Sequence, residues 1–148
     1  MKIAIGSDHR GLNYKTKLIK FFEKNYSIKD FGAFSEDSCD YPDYAYKVAI
    51  AVASKKFRKG ILICGSGNGV CIAANKVKGI RAAMGYSEKA AEYAVRHNNA
   101  NIICFSEDFD FSMVKKAVKK FLISSFEKGR HLRRVRKIAQ IESGAEVL

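Results

Sequence analysis

The chain has no tryptophan and only one proline in its 148 residues. A single proline excludes proline-rich linkers and polyproline ligands, and no internal repeat or low-complexity tract takes their place. Acids are scarce: 15 Asp+Glu stand against 27 Lys+Arg, a net charge of +12. That balance excludes an acidic solvating chain and favours an anionic partner, whether nucleic acid, a membrane surface or a phosphorylated small molecule. Long apolar runs are missing too. The longest, such as residues 48–53, falls far short of the roughly 20 residues a membrane helix needs. Asp8, His9 and Arg10 interrupt the N-terminal segment before the apolar core of a secretory signal forms. The four cysteines, at 39, 64, 71 and 104, make no C-x-x-C pair and no zinc-finger spacing with the three histidines. Together these absences predict a cytoplasmic protein with reduced thiols and no membrane association. With 47% hydrophobic residues the chain has enough apolar material for one core, so residues 1–148 are read as a single domain.

Two patterns alternate along it. Short apolar runs at 2–6, 27–32, 60–64, 80–84 and 101–105 read as strands. Between them lie helical stripes: Tyr14, Leu18, Phe21 and Phe22; Ala45, Val48, Ala49 and Val52; Val114, Ala117, Val118, Phe121 and Leu122. Ser87-Glu88 reads as a helix N-cap with an acid in the first turn. Strand–helix alternation with continuous apolar strands predicts a Rossmann-like, three-layer α/β/α domain with a five-stranded parallel sheet. Residues 130–144 form a further amphipathic helix with no strand after it. Such a helix packs on its own domain or reaches a second subunit.

In open α/β sheets ligands bind beyond the carboxyl ends of the strands, so the loops there matter most. The first is Gly6-Ser7-Asp8-His9-Arg10-Gly11. The second, a long one, carries Asp37, Cys39, Asp40, Tyr41, Pro42 and Tyr44. The third is Cys64-Gly65-Ser66-Gly67-Asn68-Gly69, and the fifth is Ser106-Glu107-Asp108. The glycine loop follows a strand and opens a helix over 70–76, so its amides point at an anion. Its G-x-G-x-G spacing, without an acid about twenty residues on, is not a dinucleotide fingerprint. No Gly-Lys-Ser/Thr follows, so it is not a P-loop either. Glycines alone also suit a tight strand-to-helix turn. A cysteine at the strand tip, Ser66 two residues on and the Asp8-His9 pair favour a site.

Cys64 is either an inert core thiol or, facing a helix N-terminus, an activated thiolate that serves as nucleophile or base. Cys71 and Cys104 read as packing residues. His9 is a solvated turn residue, a phosphate ligand, an acid/base or a metal ligand. His97 ends a helix just before a strand, at the edge of the sheet opposite Cys64; a catalytic His97 must therefore serve a neighbouring subunit. The basic tail is a solvated face, a nucleic-acid surface or a phosphate clamp. The middle reading lacks the aromatics such surfaces use, whereas Arg130 and Arg134 are spaced i, i+4 for a clamp.

These residues together resemble the type B ribose-5-phosphate isomerase family over nearly the whole chain. The resemblance runs through Gly6-Ser7-Asp8-His9, Asp40-Tyr41-Pro42, Ile63-Cys64-Gly65-Ser66-Gly67-Asn68-Gly69, Ile72-Ala73-Ala74-Asn75-Lys76, Gly79-Ile80-Arg81-Ala82, His97-Asn98-Asn99 and Gly129-Arg130-His131 with Arg134. It implies an aldose–ketose isomerase of the non-oxidative pentose phosphate pathway, acting on ribose 5-phosphate and ribulose 5-phosphate with no metal and no cofactor. It further implies a homodimer with shared active sites, in some members a tetramer. By the same resemblance Asp8 and the partner's His97 open the sugar ring, Cys64 moves the proton through a cis-enediolate, and Ser66 relays a hydroxyl proton. The amides from Gly65 to Gly69, with Gly67 and Asn68 between them, hold the enediolate oxygen. His9, Arg130 and Arg134 match phosphate-binding positions, and Tyr41 and Asn98 line the pocket. The family's alternative base, a glutamate after the glycine loop, is Val70 here.

One position departs from the family pattern. Where members carry Gly-x-Arg after the last strand, this chain has Ser106-Glu107-Asp108, and Arg10 or Arg133 is the expected substitute for the missing phosphate arginine. Isomerases of a six-carbon sugar phosphate, allose 6-phosphate or galactose 6-phosphate, are the neighbouring alternative. Keeping Asp8, His9, Cys64 and His97 on one chain argues against a galactose-type split between two different chains. A basic nucleic-acid-binding module is the distant alternative. The first and third strands are expected to be adjacent, because their loops must meet at one substrate.

Overall fold

The computed structural model describes residues 1–147. Within them, five strands and six helices follow in the order β1 (Lys2–Ser7), α1 (Leu12–Phe22), β2 (Ser27–Asp30), α2 (Tyr41–Ala53), β3 (Lys59–Cys64), α3 (Asn68–Asn75), β4 (Ala82–Met84), α4 (Glu88–Arg96), β5 (Ile102–Ser106), α5 (Phe111–Ile123) and α6 (Gly129–Glu142). The sheet order is β2-β1-β3-β5-β4 and every pairing is parallel. β1 and β3 are therefore neighbours, as the convergence of their loops requires. From β1 the chain turns one way to β2 and the other way to β3, which opens a crevice at the carboxyl ends of β1 and β3.

Burial follows from position in the sheet. The central strands β3 and β5 are buried at every residue. The edge strand β2 alternates between exposed and half-buried, and β4 is half-buried throughout. Period-two alternation splits the central side chains between two layers. Ile3, Ile5, Ile61, Ile63, Ile103 and Phe105 meet α1, α4 and α5. Ala4, Leu62, Cys64, Ile102 and Cys104 meet α2 and α3.

The helical stripes are found on the faces their spacing predicts, with one correction. Phe21 is not part of the buried face of α1; it is half exposed, on Phe22 and under Lys115. Leu18 and Phe22, four apart, already fill the space over the sheet, and Phe21 lies a full turn-angle to the side. Helix α2 begins earlier than the sequence suggests, so Tyr41, Pro42 and Tyr44 belong to its first turn rather than to a loop. Proline fits there because its missing N–H has no intrahelical partner at that position. Helix α3 likewise begins at Asn68, two residues early. At α4 the Ser87 side chain accepts from the Ala90 N–H at 3.0 Å, the cap the sequence predicts.

Two lysines are buried. Lys15 Nζ donates to Asp30 at 2.8 Å and to the Ala33 carbonyl, tying α1 to the end of β2. Lys59 Nζ lies against the carbonyls of Phe121, Leu122 and Ser124, where it caps the C-terminus of α5. Helix α6 buries only His131 and Val135. Ile138, Ala139 and Ile141, on the apolar side, are exposed.

Candidate functional site

The tips of β1 and β3 are fastened together where the crevice opens. The Asp8 N–H donates to the Ile63 carbonyl at 3.3 Å, and the buried Asp8 carboxylate accepts from the Gly11 N–H at 3.0 Å. Gly11 passes so close to β3 that a methyl group there lies 2.6 Å from the Ile63 oxygen. Only glycine lets the start of α1 approach β3 this far.

Cys64, buried at the tip of β3, accepts a hydrogen bond at its Sγ from the Gly67 N–H at 3.1 Å. Gly67 is the N-cap of α3 with φ of +79°, and a side chain there collides with Met84 and the Phe105–Ser106 backbone. The left-handed conformation turns the chain from strand to helix within three residues and aims the amide back at the sulfur. Ser66 Oγ accepts from the Asn68 N–H at 3.2 Å. On β5, Ser106 Oγ donates to the Gly65 carbonyl at 2.5 Å, and the Glu107 N–H donates to the Cys64 carbonyl at 3.0 Å. These bonds hold the glycine loop from its far side. The opening amides of α3 have no helical carbonyl to bond; those of Gly67 and Asn68 bond Cys64 Sγ and Ser66 Oγ instead.

His9 and Tyr41 complete this edge. The Tyr41 ring packs on the Gly69 backbone. His9 Nδ1 accepts from the Cys39 N–H at 3.3 Å, with the Cys39 thiol 3.7 Å away. An accepting Nδ1 leaves the ring proton on Nε2, free to donate to an anion. Sequence reading did not assign Cys39 this part, because nothing in its spacing pairs it with a residue thirty positions earlier. Arg10 is ion-paired with Glu107, which raises the guanidinium pKa further above its ordinary value. The acid that replaces the family's Gly-x-Arg is thus already matched. Arg133 is exposed on α6.

The remaining candidates lie at the opposite, amino edge of the sheet. His97 caps the C-terminus of α4, and Asn98 follows it exposed. The His97 ring stacks on His131 of α6, centroids 4.3 Å apart and nearly parallel, with Tyr93 on its other side at 4.4 Å. Glu127 Oε2 is 3.8 Å from Nε2 of both histidines, and the carboxylate is also held by Arg96. That arginine keeps the Glu127 carboxyl below its usual range. Burial, aided by the positive charges of His97, Arg130 and Arg134, holds the His131 pKa below its usual value. Arg130 and Arg134 are exposed, one turn apart beside this stack. One chain therefore carries two groups of candidates: Asp8, His9, Tyr41, Cys64 and the glycine loop at one edge, and His97, Asn98, Arg130 and Arg134 at the other. Sequence reading missed Glu127 and His131 as neighbours of His97. His131 carried a weak signal, standing next to Arg130.

A cavity of about 850 Å³ lies away from Cys64. It lies between the edge strand β4, α4 and α6 and is lined by Met84, Tyr86, Tyr93, Asn98, Ile138 and Ile141.

On this parallel five-stranded domain, with Cys64 at the tip of a central strand and a glycine loop opening α3, the model of the Ribose/Galactose Isomerase family matches residues 3–138. The chain belongs to that family and is an isomerase. It is 44% identical to the probable ribose-5-phosphate isomerase B of Mycoplasma genitalium, across 97% of both chains. It is 40% identical to the ribose-5-phosphate isomerase B of Escherichia coli K12, across 95% of this chain and 96% of that one. Among solved structures, the ribose-5-phosphate isomerase B of Clostridium thermocellum superposes with a TM-score of 0.95 at 44% identity, covering 97% of this chain and 99% of that one. The Mycoplasma genitalium enzyme with bound ribulose-5-phosphate superposes with a TM-score of 0.91 at 44% identity, covering 96% of each. No helix among the described residues is long and apolar enough to cross a membrane.

Proposed function

We propose that this chain interconverts D-ribose 5-phosphate and D-ribulose 5-phosphate, as a homodimer whose sites each combine the carboxyl edge of one subunit with the amino edge of the other. The observation that carries this reading is the division of the candidates between two opposed edges, with Cys64 Sγ held by the Gly67 amide at one of them. The relative with bound ribulose-5-phosphate supports the choice of a pentose phosphate. The uncovered side of α6 supports the dimer. Burying a single valine contributes about 1.5–3 kcal/mol, whereas ordering each residue of that helix costs about 1–2 kcal/mol. Covering Ile138 and Ile141 with a second chain supplies the missing apolar contact.

The chemistry runs as a proton transfer. The partner's His97 and Asp8 move the proton between ring oxygen and O1, which opens the sugar and exposes the aldehyde. Cys64 Sγ, as thiolate, takes the proton from C2. The resulting negative charge passes to O1, where the amides that open α3 stabilise it. Ser66 Oγ carries the hydroxyl proton from O2 to O1, and the thiol returns its proton to C1. The Gly67 N–H remains a donor to sulfur through both protonation states. The phosphate is held by the Nε2–H of His9 and by the partner's Arg130 and Arg134, as charge-assisted bonds. Tyr41 and Asn98 close the pocket around the open chain.

The test is turnover of ribose 5-phosphate by the purified protein and by Cys64→Ala, with a chelator present. Loss of a positioned base lowers kcat by about 10²–10⁴, while ribulose 5-phosphate still binds. A fully active Cys64→Ala protein overturns the assignment of the base.

A further inference from the structure

The side chains of His97, Glu127 and His131 bring three metal-ligating atoms within 4.8 Å of one another. We propose that this triad is a binding site for a borderline divalent cation of the Zn²⁺ class, and that occupancy inhibits the enzyme by withdrawing His97. The inhibitory part rests on the reading that the partner's His97 opens the sugar ring; the binding part does not.

Tetrahedral zinc, with donors at about 2.0–2.2 Å, holds those donors about 3.3–3.6 Å apart. Glu127 Oε2 is already 3.8 Å from Nε2 of each histidine, so each of these contacts closes by about 0.2–0.5 Å on binding. The parallel rings must also splay so that both lone pairs converge. His97 is half-buried with the exposed Tyr93 ring on its other face, so its tilt has to carry Tyr93 with it. His131 is buried and fixed, so it acts as the anchor. Two imidazoles and one carboxylate form the donor set that zinc uses with a fourth position open. That donor set excludes Mg²⁺ and Ca²⁺, which prefer oxygen ligands.

The surroundings decide how tightly the ion is held. Arg96 occupies Glu127 and competes directly with the cation. It has a second partner, Glu92, at 2.8 Å on the preceding turn, to which it falls back when the metal takes Glu127. Arg130 and Arg134 lie near enough to His131 to act on its charge, and they weaken cation binding further. The site is thus tuned for reversible rather than permanent occupancy. Removing Arg96 makes it stronger.

Titration of the folded protein with Zn²⁺, and with Co²⁺ as a spectroscopic probe, tests the inference. One ion per chain is expected, with a visible Co²⁺ band of tetrahedral intensity. His131→Gln weakens binding by at least about tenfold, and Arg96→Gln strengthens it. Wild-type protein without saturable one-per-chain binding overturns the proposal. So does His131→Gln binding as tightly as wild type, which places the ion on cysteine instead. Arg96→Gln guards against misfolding as the explanation, because a gain of affinity does not arise from a damaged site. Isomerase assays with added Zn²⁺ separate the two parts. Zn²⁺ binding without any turnover of ribose 5-phosphate under chelation defeats the proposed function and leaves the site intact. Turnover that is unaffected at saturating Zn²⁺ defeats the inhibitory part.

Discussion

The two edges of the sheet hold their polar residues by different means. At the carboxyl edge the key bonds are short in sequence: Gly67 to Cys64, Gly11 to Asp8, and Asn68 to Ser66. At the amino edge His97 depends on His131 in α6 and on Glu127 in the segment before it, each thirty or more residues away. Turn chemistry shapes the glycine loop and the Asp8 turn of the first edge, and contacts from β3, β5 and the segment around Cys39 then fasten them. The second edge exists only when α6 has docked. A protein organised this way has one half-site whose turns are set locally before packing fastens them, and another made by tertiary packing throughout.

Mixing separates the two halves most sharply. Cys64→Ala disables the carboxyl edge and His97→Asn the amino edge. If each site takes one edge from each subunit, co-refolding equal amounts of the two inactive proteins restores about a quarter of wild-type activity, because half of the dimers carry one intact site. No recovery on mixing, with both proteins dimeric by sedimentation, breaks the comparison by placing both edges in one chain's site.

A second test addresses the packing that makes the amino edge. Burial, with the nearby charge of Arg58, holds the Lys59 pKa down to about 8. Above that pH the folded chain has released a proton that the unfolded chain keeps until about 10.5. Stability therefore rises with pH in this window, by up to about 1.4 kcal/mol per pH unit relative to Lys59→Met. Urea melts of both proteins at about pH 7.5 and 9.5 read the difference, since other groups titrating in the window cancel. Equal slopes mean that the lysine is hydrated in solution.

The smallest expected effect lies at the carboxyl edge. Arg10 matches the charge of Glu107. Arg10→Ala leaves that acid uncompensated near the phosphate end and raises KM for ribose 5-phosphate by less than about tenfold, as suits an exposed pair. Removing Glu107 as well restores KM. An unchanged KM in Arg10→Ala shows that Arg10 takes no part in balancing the site.

The contrast also explains what was legible in the sequence. The parallel sheet, the adjacency of β1 and β3, the Ser87 cap and the strand-tip position of Cys64 all follow from periodicity and turn residues a few positions apart. The placement of His97 at the opposite edge follows from its position between a helix and a strand. The stack of His97 on His131 and the role of Cys39 beside His9 are contacts between distant segments, and no local pattern encodes them. Lys15 and Lys59 were invisible for a related reason: each is buried because remote carbonyls or Asp30 satisfy its ammonium group. Phe21 misled in the opposite sense, since helical spacing tells which face a residue shares but not how far the covering layer extends.

Gly11 and Gly67 carry a consequence for how this enzyme varies. Every single-base change to a glycine codon that still encodes an amino acid adds a Cβ unless it is silent. At Gly11 that atom lands on the Ile63 carbonyl, and at Gly67 on the backbone of β5. Neither position has a neutral neighbour in the genetic code. A mutational library selected for folding alone will therefore be as empty at these two codons as one selected for catalysis, whereas the exposed Ser66 and Asn68 beside them will separate the two selections.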